Sequence, residues 1–205
     1  TVIHNGNVDE CIEFYDYLLD LKVDSWRIDT PFYCGAFVHN HKDLKIDDYQ
    51  NLFDVYFSLI VKSIENYSKL TFAISRIWHT DIVKGSLFNR HKLSNHPCGY
   101  HMHALTIRAN GNVSFCPSWS QIFSNVSIDG VKSAWEKIMD SDFGKLQISN
   151  LSECSKCKYI FFCGSGCRSD VLYSGGSLYD TDERTCREMN FLFNYLVPKL
   201  PSEIK

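Results

Sequence analysis

No charge of one sign dominates this chain. Its 21 Lys and Arg against 24 Asp and Glu leave a net charge of −3 over 205 residues, which makes no electrostatic case for binding nucleic acid. No apolar run approaches the ~20 residues needed to cross a bilayer, so no membrane span is expected. A secretory leader is also lacking, and nine cysteines without one indicate a reducing compartment, a cytoplasmic location. A starting Met is missing too: the chain opens on strand-like Thr1, Val2 and Ile3 and reads as a piece cut from something longer. What is present is ordinary core material, 44% hydrophobic and 14% aromatic, enough for one domain or one and a half at this length.

The cysteines are what stand out. Cys154, Cys157, Cys163 and Cys167 fall within fourteen residues at spacings x2, x5 and x3, and Cys186 follows. Upstream lie Cys98 and Cys116, the second preceded by Gly111 at a G-x4-C spacing. Seven of the nine cysteines thus belong to one constellation. A Cys-x2-Cys lets two sulfurs converge on one metal centre, and clustered thiolates are the ligands of iron–sulfur clusters and of zinc. Gly164 and Gly166 let the backbone bend tightly against a bulky inorganic core. A disulfide framework belongs to small secreted chains and suits this one poorly. Zinc takes four ligands per ion, and seven cysteines do not divide into fours without an outside ligand or an open position. Two four-iron clusters need eight ligands, so seven cysteines and one other ligand, or one open iron, match better.

Taken in order, residues 1–30 form a strand, helix and strand. The helix begins near Asp9, with Cys11, Phe14, Tyr15, Leu18 and Leu19 on one face, and the second strand covers residues 23–28. That order implies a parallel crossover whose sheet partners lie elsewhere. Residues 33–46 are loop-like and carry Cys34, His39 and His41. Cys34 follows a parallel strand's end, the edge where α/β sites form. A catalytic or ligand thiol and a plain structural cysteine both suit it. Residues 47–68 form a long helix with an apolar stripe from Leu52 to Ile64, and residues 70–78 another strand. Composition changes at residue 79, and residues 79–97 serve as a linker carrying His79, His91 and His96. Asn110 and Gly111 between alternating apolar residues predict a hairpin that carries Cys116 on its second strand. A short helix over 131–139 turns Ala134, Trp135 and Ile138 inward, and Cys186 opens a final helix that stops near Pro198.

The pattern Cys98-x12-Gly111-x4-Cys116, then Cys154-x2-Cys157-x5-Cys163-x3-Cys167, then Cys186 resembles the seven-cysteine SPASM domain of radical SAM enzymes. The Trp-containing helix from Ser133 to Asp140, the stretch from Phe143 to Leu151, and the run Gly164, Ser165, Gly166, Cys167, Arg168 agree with it. The likeness covers about residues 95–195. Residues 1–78 look like the last elements of the partial (β/α)6 barrel preceding such a domain. The implied fold is α/β plus α+β: the C-terminal portion of a TIM-like partial barrel (1–78), a linker (79–97), a SPASM domain with a β-hairpin and cluster-binding loops (98–197), and a tail (198–205). The resemblance implies two auxiliary [4Fe–4S] clusters. Cys98, Cys116 and Cys167 would hold the inner one, nearer the barrel; Cys154, Cys157, Cys163 and Cys186 would hold the outer one. Some relatives supply a fourth inner ligand from a cysteine shortly before the first motif cysteine. Here residues 90–97 hold none; His91 and His96 are the substitutes, or the iron stays open to a substrate thiolate or amide.

One departure matters most. The Cys-x3-Cys-x2-Cys motif of the SAM-cleaving cluster is not in these residues, so SAM and a third [4Fe–4S] cluster belong to an intact enzyme whose N-terminal barrel half lies outside them. Asn5 ends the first strand and could approach SAM there; a turn-forming role before Gly6 is the plainer one. The intact enzyme would form a 5′-deoxyadenosyl radical with electrons from a flavodoxin or ferredoxin and modify a peptide or protein. Sulfatase maturation is disfavoured, because Pro117 stands where those maturases carry an Asp. The competing class is a non-catalytic, zinc-stabilised peptide-binding module.

Overall fold

A computed structural model describes residues 1–66, 69–74, 77–78, 90–98 and 104–200. The chain divides into two compact units, one of Thr1–Phe32, Ala36–Asn89 and Cys186–Lys205, the other of Tyr33–Gly35 and Arg90–Thr185.

In the first unit, helix α1 (Cys11–Asp20) buries Cys11, Tyr15 and Leu18 at helical spacing. Phe14 stays 37% exposed and sets its ring edge-on to Trp26 at 5.5 Å. Strand β1 (Ser25–Ile28) alternates, with Trp26 and Ile28 inward, the period-two signature of a strand with one covered face. The expected opening strand reduces to one parallel bridge, Val2 to Asp29, with the Trp26 indole donating to Thr1 Oγ1 at 2.8 Å. Residues 33–46 are not all loop: they include a single-turn helix, α2 (Phe37–Asn40).

Helix α3 (Tyr49–Glu65) is shorter than residues 47–68. Its N-cap Asp48 accepts from the Asn51 N–H at 2.9 Å, a cap that stabilises a helix by about 1 kcal/mol. Leu52, Phe53, Tyr56 and Ile60 are buried as the stripe requires, joined by Val55 and Leu59, whereas Ile64 is exposed. The buried face is broad because α3 packs on α1, on strand β2 (Thr71–Ile74) and on the chain's last helical turns. Strand β2 runs parallel to β1, Ser25 opposite Thr71 and Ile28 opposite Ile74. The strand expected over 70–78 is not continuous. Strand β3 (Ile77–Trp78) folds back antiparallel on β2, and residues 75–76 between them lie outside the described residues.

The second unit is built on the hairpin of β4 (Thr106–Ile107) and β5 (Asn112–Ser114); residues 99–103 before it are outside the described residues. Gly111 takes φ +81, and a Cβ there would lie 2.8 Å from Asn125 Oδ1, so the turn requires glycine. A third strand, β6 (Ser124–Asn125), pairs with β5. Helix α4 (Val126–Asp140) breaks at Gly130 (φ 75, ψ 164), and its regular part turns Ala134 and Ile138 inward. These join Val113, Phe115, Trp119 and Phe143 in one core, with Phe143 ring centroids 4.2 Å from Phe115 and 4.5 Å from Trp119. Trp135 is only half-buried.

Residues 90–97 belong to the second unit. The Ile148 and Ser149 N–H groups donate to Asn95 O and Leu93 O, each at 2.9 Å, which pins that stretch to the second unit; residues 79–89 are outside the described residues. Helices α5 (Ile160–Cys163) and α6 (Arg168–Tyr173) flank the cysteine turn. Helix α7 (Glu183–Phe191) begins three residues before Cys186 and continues as a π-helical turn, Leu192–Leu196. From Cys186 on, the chain packs in the first unit. Phe191 stacks on Tyr49 and Phe53 at 5.6 and 5.7 Å, and Asp54 accepts from the Tyr195 hydroxyl at 2.8 Å and Lys199 Nζ at 2.9 Å. Among the described residues no helix is long and apolar enough to cross a membrane.

Candidate metal centre

The stretch from Cys154 to Cys167 bends through two short helical turns. A 3-10 turn at Cys154–Lys156 closes with the Cys157 N–H donating to Cys154 O at 3.0 Å, and α5 then delivers Cys163. Next come three successive left-handed residues, Gly164, Ser165 and Gly166, at φ 67, 79 and 80. Two are glycine because left-handed backbone is cheap only without a Cβ. Neither has room for one: a Cβ on Gly164 would lie 2.7 Å from His91 Nε2, and one on Gly166 2.5 Å from Asp182 Oδ2. Asp182 accepts from the Cys167 N–H at 2.8 Å and from Thr185 N–H and Oγ1–H at 3.0 and 2.6 Å. Burial pushes the Asp182 carboxyl up, but Arg184 and these donors outweigh it and hold it below the usual range.

The thiols fall into two neighbourhoods within the second unit. In one, burial raises the Cys154 thiol; the Arg168 guanidinium opposes this, and charge on Cys163 and Cys157 adds to it. In the other, Cys98 and Cys116 line the aromatic core around Trp119 and Phe143. Burial raises Cys116, the Ser118 N–H pulls it down, and charge on Cys98 and Cys34 pushes it up. Cys34 Sγ lies 3.4 Å from Ser118 Oγ. Cys167 precedes α6, and its thiol is pushed up to about 12 by burial and by Asp170. Cys186 is exposed and belongs to the first unit. No disulfide joins any of the nine cysteines. Among the described residues, no three Cys, His, Asp or Glu side chains converge on a point that one ion could occupy.

The remaining expected residues sort as follows. His91 lies against Gly164, in the turn after Cys163 and not beside Cys98 and Cys116; its N–H donates to Phe161 O at 2.9 Å. His96 uses both ring nitrogens on backbone: Nε2 donates to Phe143 O at 2.7 Å, and Nδ1 meets the Cys98 N–H at 3.0 Å and Cys98 O at 2.7 Å. Neither nitrogen is left to face a metal, so His96 positions Cys98 and is not its partner ligand. Asn5 is an exposed turn residue of the first unit whose N–H donates to Leu44 O at 3.3 Å.

Arg168 was not singled out for chemistry by spacing. Its side chain is 1% exposed, donating to Leu178 O at 3.1 Å, Asp180 O at 2.6 Å and Ser165 O, with no carboxylate paired to it among the described residues. A buried cation without an anion is costly. Among the described residues, the buried donors without a hydrogen-bond partner include Arg168 Nε, Ser165 Oγ and Trp119 Nε1. The first two flank the Cys163–Cys167 turn, and Trp119 packs in the core lined by Cys98 and Cys116. Unmatched donors and a buried positive charge beside thiols suit the sulfurs of an anionic iron–sulfur cluster, which accept hydrogen bonds. These donors match such a group in charge, but among the described residues the thiols are not gathered into a site that would hold it.

No protein-family model, curated protein or solved structure matches the chain.

Proposed function

We propose that this chain is the auxiliary-cluster portion of a radical SAM enzyme that modifies a peptide or protein, acting in the cytosol with a barrel half that carries the SAM-binding cluster. The observation supporting this most is the set of three unpartnered buried donors, Ser165, Arg168 and Trp119, beside the cysteines of the seven-cysteine pattern. Cys98, Cys116 and Cys167 would hold the inner [4Fe–4S] cluster; Cys154, Cys157 and Cys163, with Cys186, the outer one. When bound, such clusters supply one-electron transfer, fed here by a flavodoxin or ferredoxin, or an iron open to a substrate group.

The protein's part is electrostatic and geometric. Arg168 places one positive charge where thiolates would otherwise repel one another. Ser165 and Trp119 present an O–H and an N–H that tune the potential of whatever accepts from them. The left-handed run from Gly164 to Gly166 brings Cys163 and Cys167 round a tight bend, and Asp182 holds the bend through the Cys167 N–H. Anaerobic iron and acid-labile sulfide content of the reconstituted chain tests this reading. About eight of each per chain is expected for two four-iron clusters. Stoichiometric zinc without sulfide would overturn it and leave a metal-stabilised peptide-binding module.

A further inference from the structure

We propose that Cys154 and Cys157 form a reversible thiol–disulfide pair in the metal-free chain, oxidised by an anionic low-molecular-weight disulfide that Cys157 meets first. The inference goes beyond the cluster reading and does not depend on it. The Cys157 N–H donates to Cys154 O at 3.0 Å and closes a 3-10 turn over Cys154–Lys156. Such a closure keeps the two Cα atoms within about 7 Å, the span beyond which a disulfide would need backbone movement. In a 3-10 turn the side chains at i and i+3 also lie one above the other, so both sulfurs leave the same side of the backbone.

The turn is held at both ends. Upstream, the Ser155 N–H donates to Leu151 O at 2.8 Å and its hydroxyl to Ser152 O at 3.1 Å; downstream, the Ile160 N–H donates to Cys157 O at 3.1 Å. The two thiols differ in access. Cys154 is 7% exposed in the core of Leu146, Ile148, Leu151 and Ile160, whereas Cys157 is exposed. That difference fixes the order of attack, because a thiol exchanges only where the reagent can reach it. Lys156 and Lys158 flank Cys157 and are exposed, against one exposed carboxylate, Glu153, on the same short stretch. The surroundings of the outer sulfur therefore favour a reagent that carries carboxylates. Charge on Cys157 is felt at Cys154, in agreement with the pairing. Cys157 Sγ attacks the small disulfide, bonding to one of its sulfurs while the other departs as a thiolate. Cys154 Sγ then attacks Cys157 Sγ and releases the second small thiol. Two protein thiols are oxidised to one disulfide, the reagent is reduced to two thiols, and the two cysteine protons end on them.

The test exposes the reduced full chain, with a chelator present, to oxidised glutathione and in parallel to cystamine, a cationic disulfide. Peptide mapping under non-reducing conditions should recover Cys154 linked to Cys157, and excess reduced glutathione should reverse the link. In Cys154→Ser the reaction should stop at a glutathione adduct on Cys157. In Cys157→Ala, a truncation at an exposed position, modification of Cys154 should slow by about tenfold or more, because its burial keeps the reagent away. Lys156→Gln with Lys158→Gln should slow oxidation by oxidised glutathione by about threefold and leave the rate with cystamine unchanged or raised. A lasting glutathione adduct on Cys157 of wild type, or a link from Cys154 to Cys163 instead, would overturn the pairing. Equal slowing with both reagents in the lysine variant would overturn the choice of an anionic partner. Iron and sulfide uptake bears on the cluster reading alone, so the two readings fail separately.

Discussion

Replacing Gly166 by Ala tests the turn on which the cysteine cluster depends. At φ +80 the substitution forces an L-residue into left-handed backbone, a cost of about 1–2 kcal/mol. The new Cβ would also lie 2.5 Å from Asp182 Oδ2 and 2.6 Å from Asp182 Cβ. Asp182 cannot swing a flexible end aside, because its own Cβ is in the way. The carboxylate must therefore withdraw from the Cys167 N–H, which it now meets at 2.8 Å. A hydrogen bond to a charged acceptor contributes about 1.5–3 kcal/mol, so the total loss is about 3–5 kcal/mol. Gly175→Ala is the control: φ is +84, but nothing lies within 4 Å of its Cβ, leaving only the backbone cost of about 1–2 kcal/mol. Urea unfolding of the metal-free chain, followed by circular dichroism, should place the Gly166→Ala midpoint below that of Gly175→Ala by about 1 M at unchanged slope. Equal midpoints for the two variants would refute the steric reasoning.

Two further outcomes follow from charge and burial. Burial, with Glu10, raises the Cys11 thiol from its usual value to about 11. The folded chain therefore holds that proton more tightly than the unfolded one, and the associated stability is complete below about pH 9 and lost as pH rises toward 11. That contribution is on the order of 2 kcal/mol, so stability measured by urea midpoint should fall less steeply between pH 9 and 11 in Cys11→Ala than in wild type; parallel slopes would contradict the assignment. Arg168→Met removes three hydrogen bonds but also a buried, unpaired cation, so the metal-free chain should change by only about 2 kcal/mol or less. Iron and sulfide should then raise the melting temperature of wild type more than that of Arg168→Met, because only wild type supplies the counter-charge; equal increments would remove Arg168 from the cluster's surroundings.

Local signals carried far in this chain. Asn110 and Gly111 specify their hairpin because a tight turn and its flanking strands are set by adjacent residues, and the hairpin is there, with residues 109–111 as its loop between paired Arg108 and Asn112. The apolar periods of α1 and α3 were readable for the same reason, with errors confined to their ends, to Phe14 and to Ile64. Strand β6 went unseen because two residues carry no period, and the break at Gly130 lies inside an otherwise regular amphipathic run. Segments with two destinations were harder. Leu93 and Asn95 have loop composition, yet their carbonyls are taken by Ser149 and Ile148, partners more than fifty positions away.

The amino-acid sequence alone determined which donors exist and that Cys154, Cys157, Cys163 and Cys167 share one tight loop, since short spacing and glycine constrain a backbone whatever surrounds it. Only the tertiary structure decided the company each thiol keeps. It groups Cys34 with Cys98 and Cys116 in one unit, sets Cys186 in the other, turns both nitrogens of His96 to backbone, and buries Arg168 with no carboxylate paired to it among the described residues. The physical reason is that burial and counter-charge depend on chain segments far apart in sequence, and no local period or motif encodes which of them will meet.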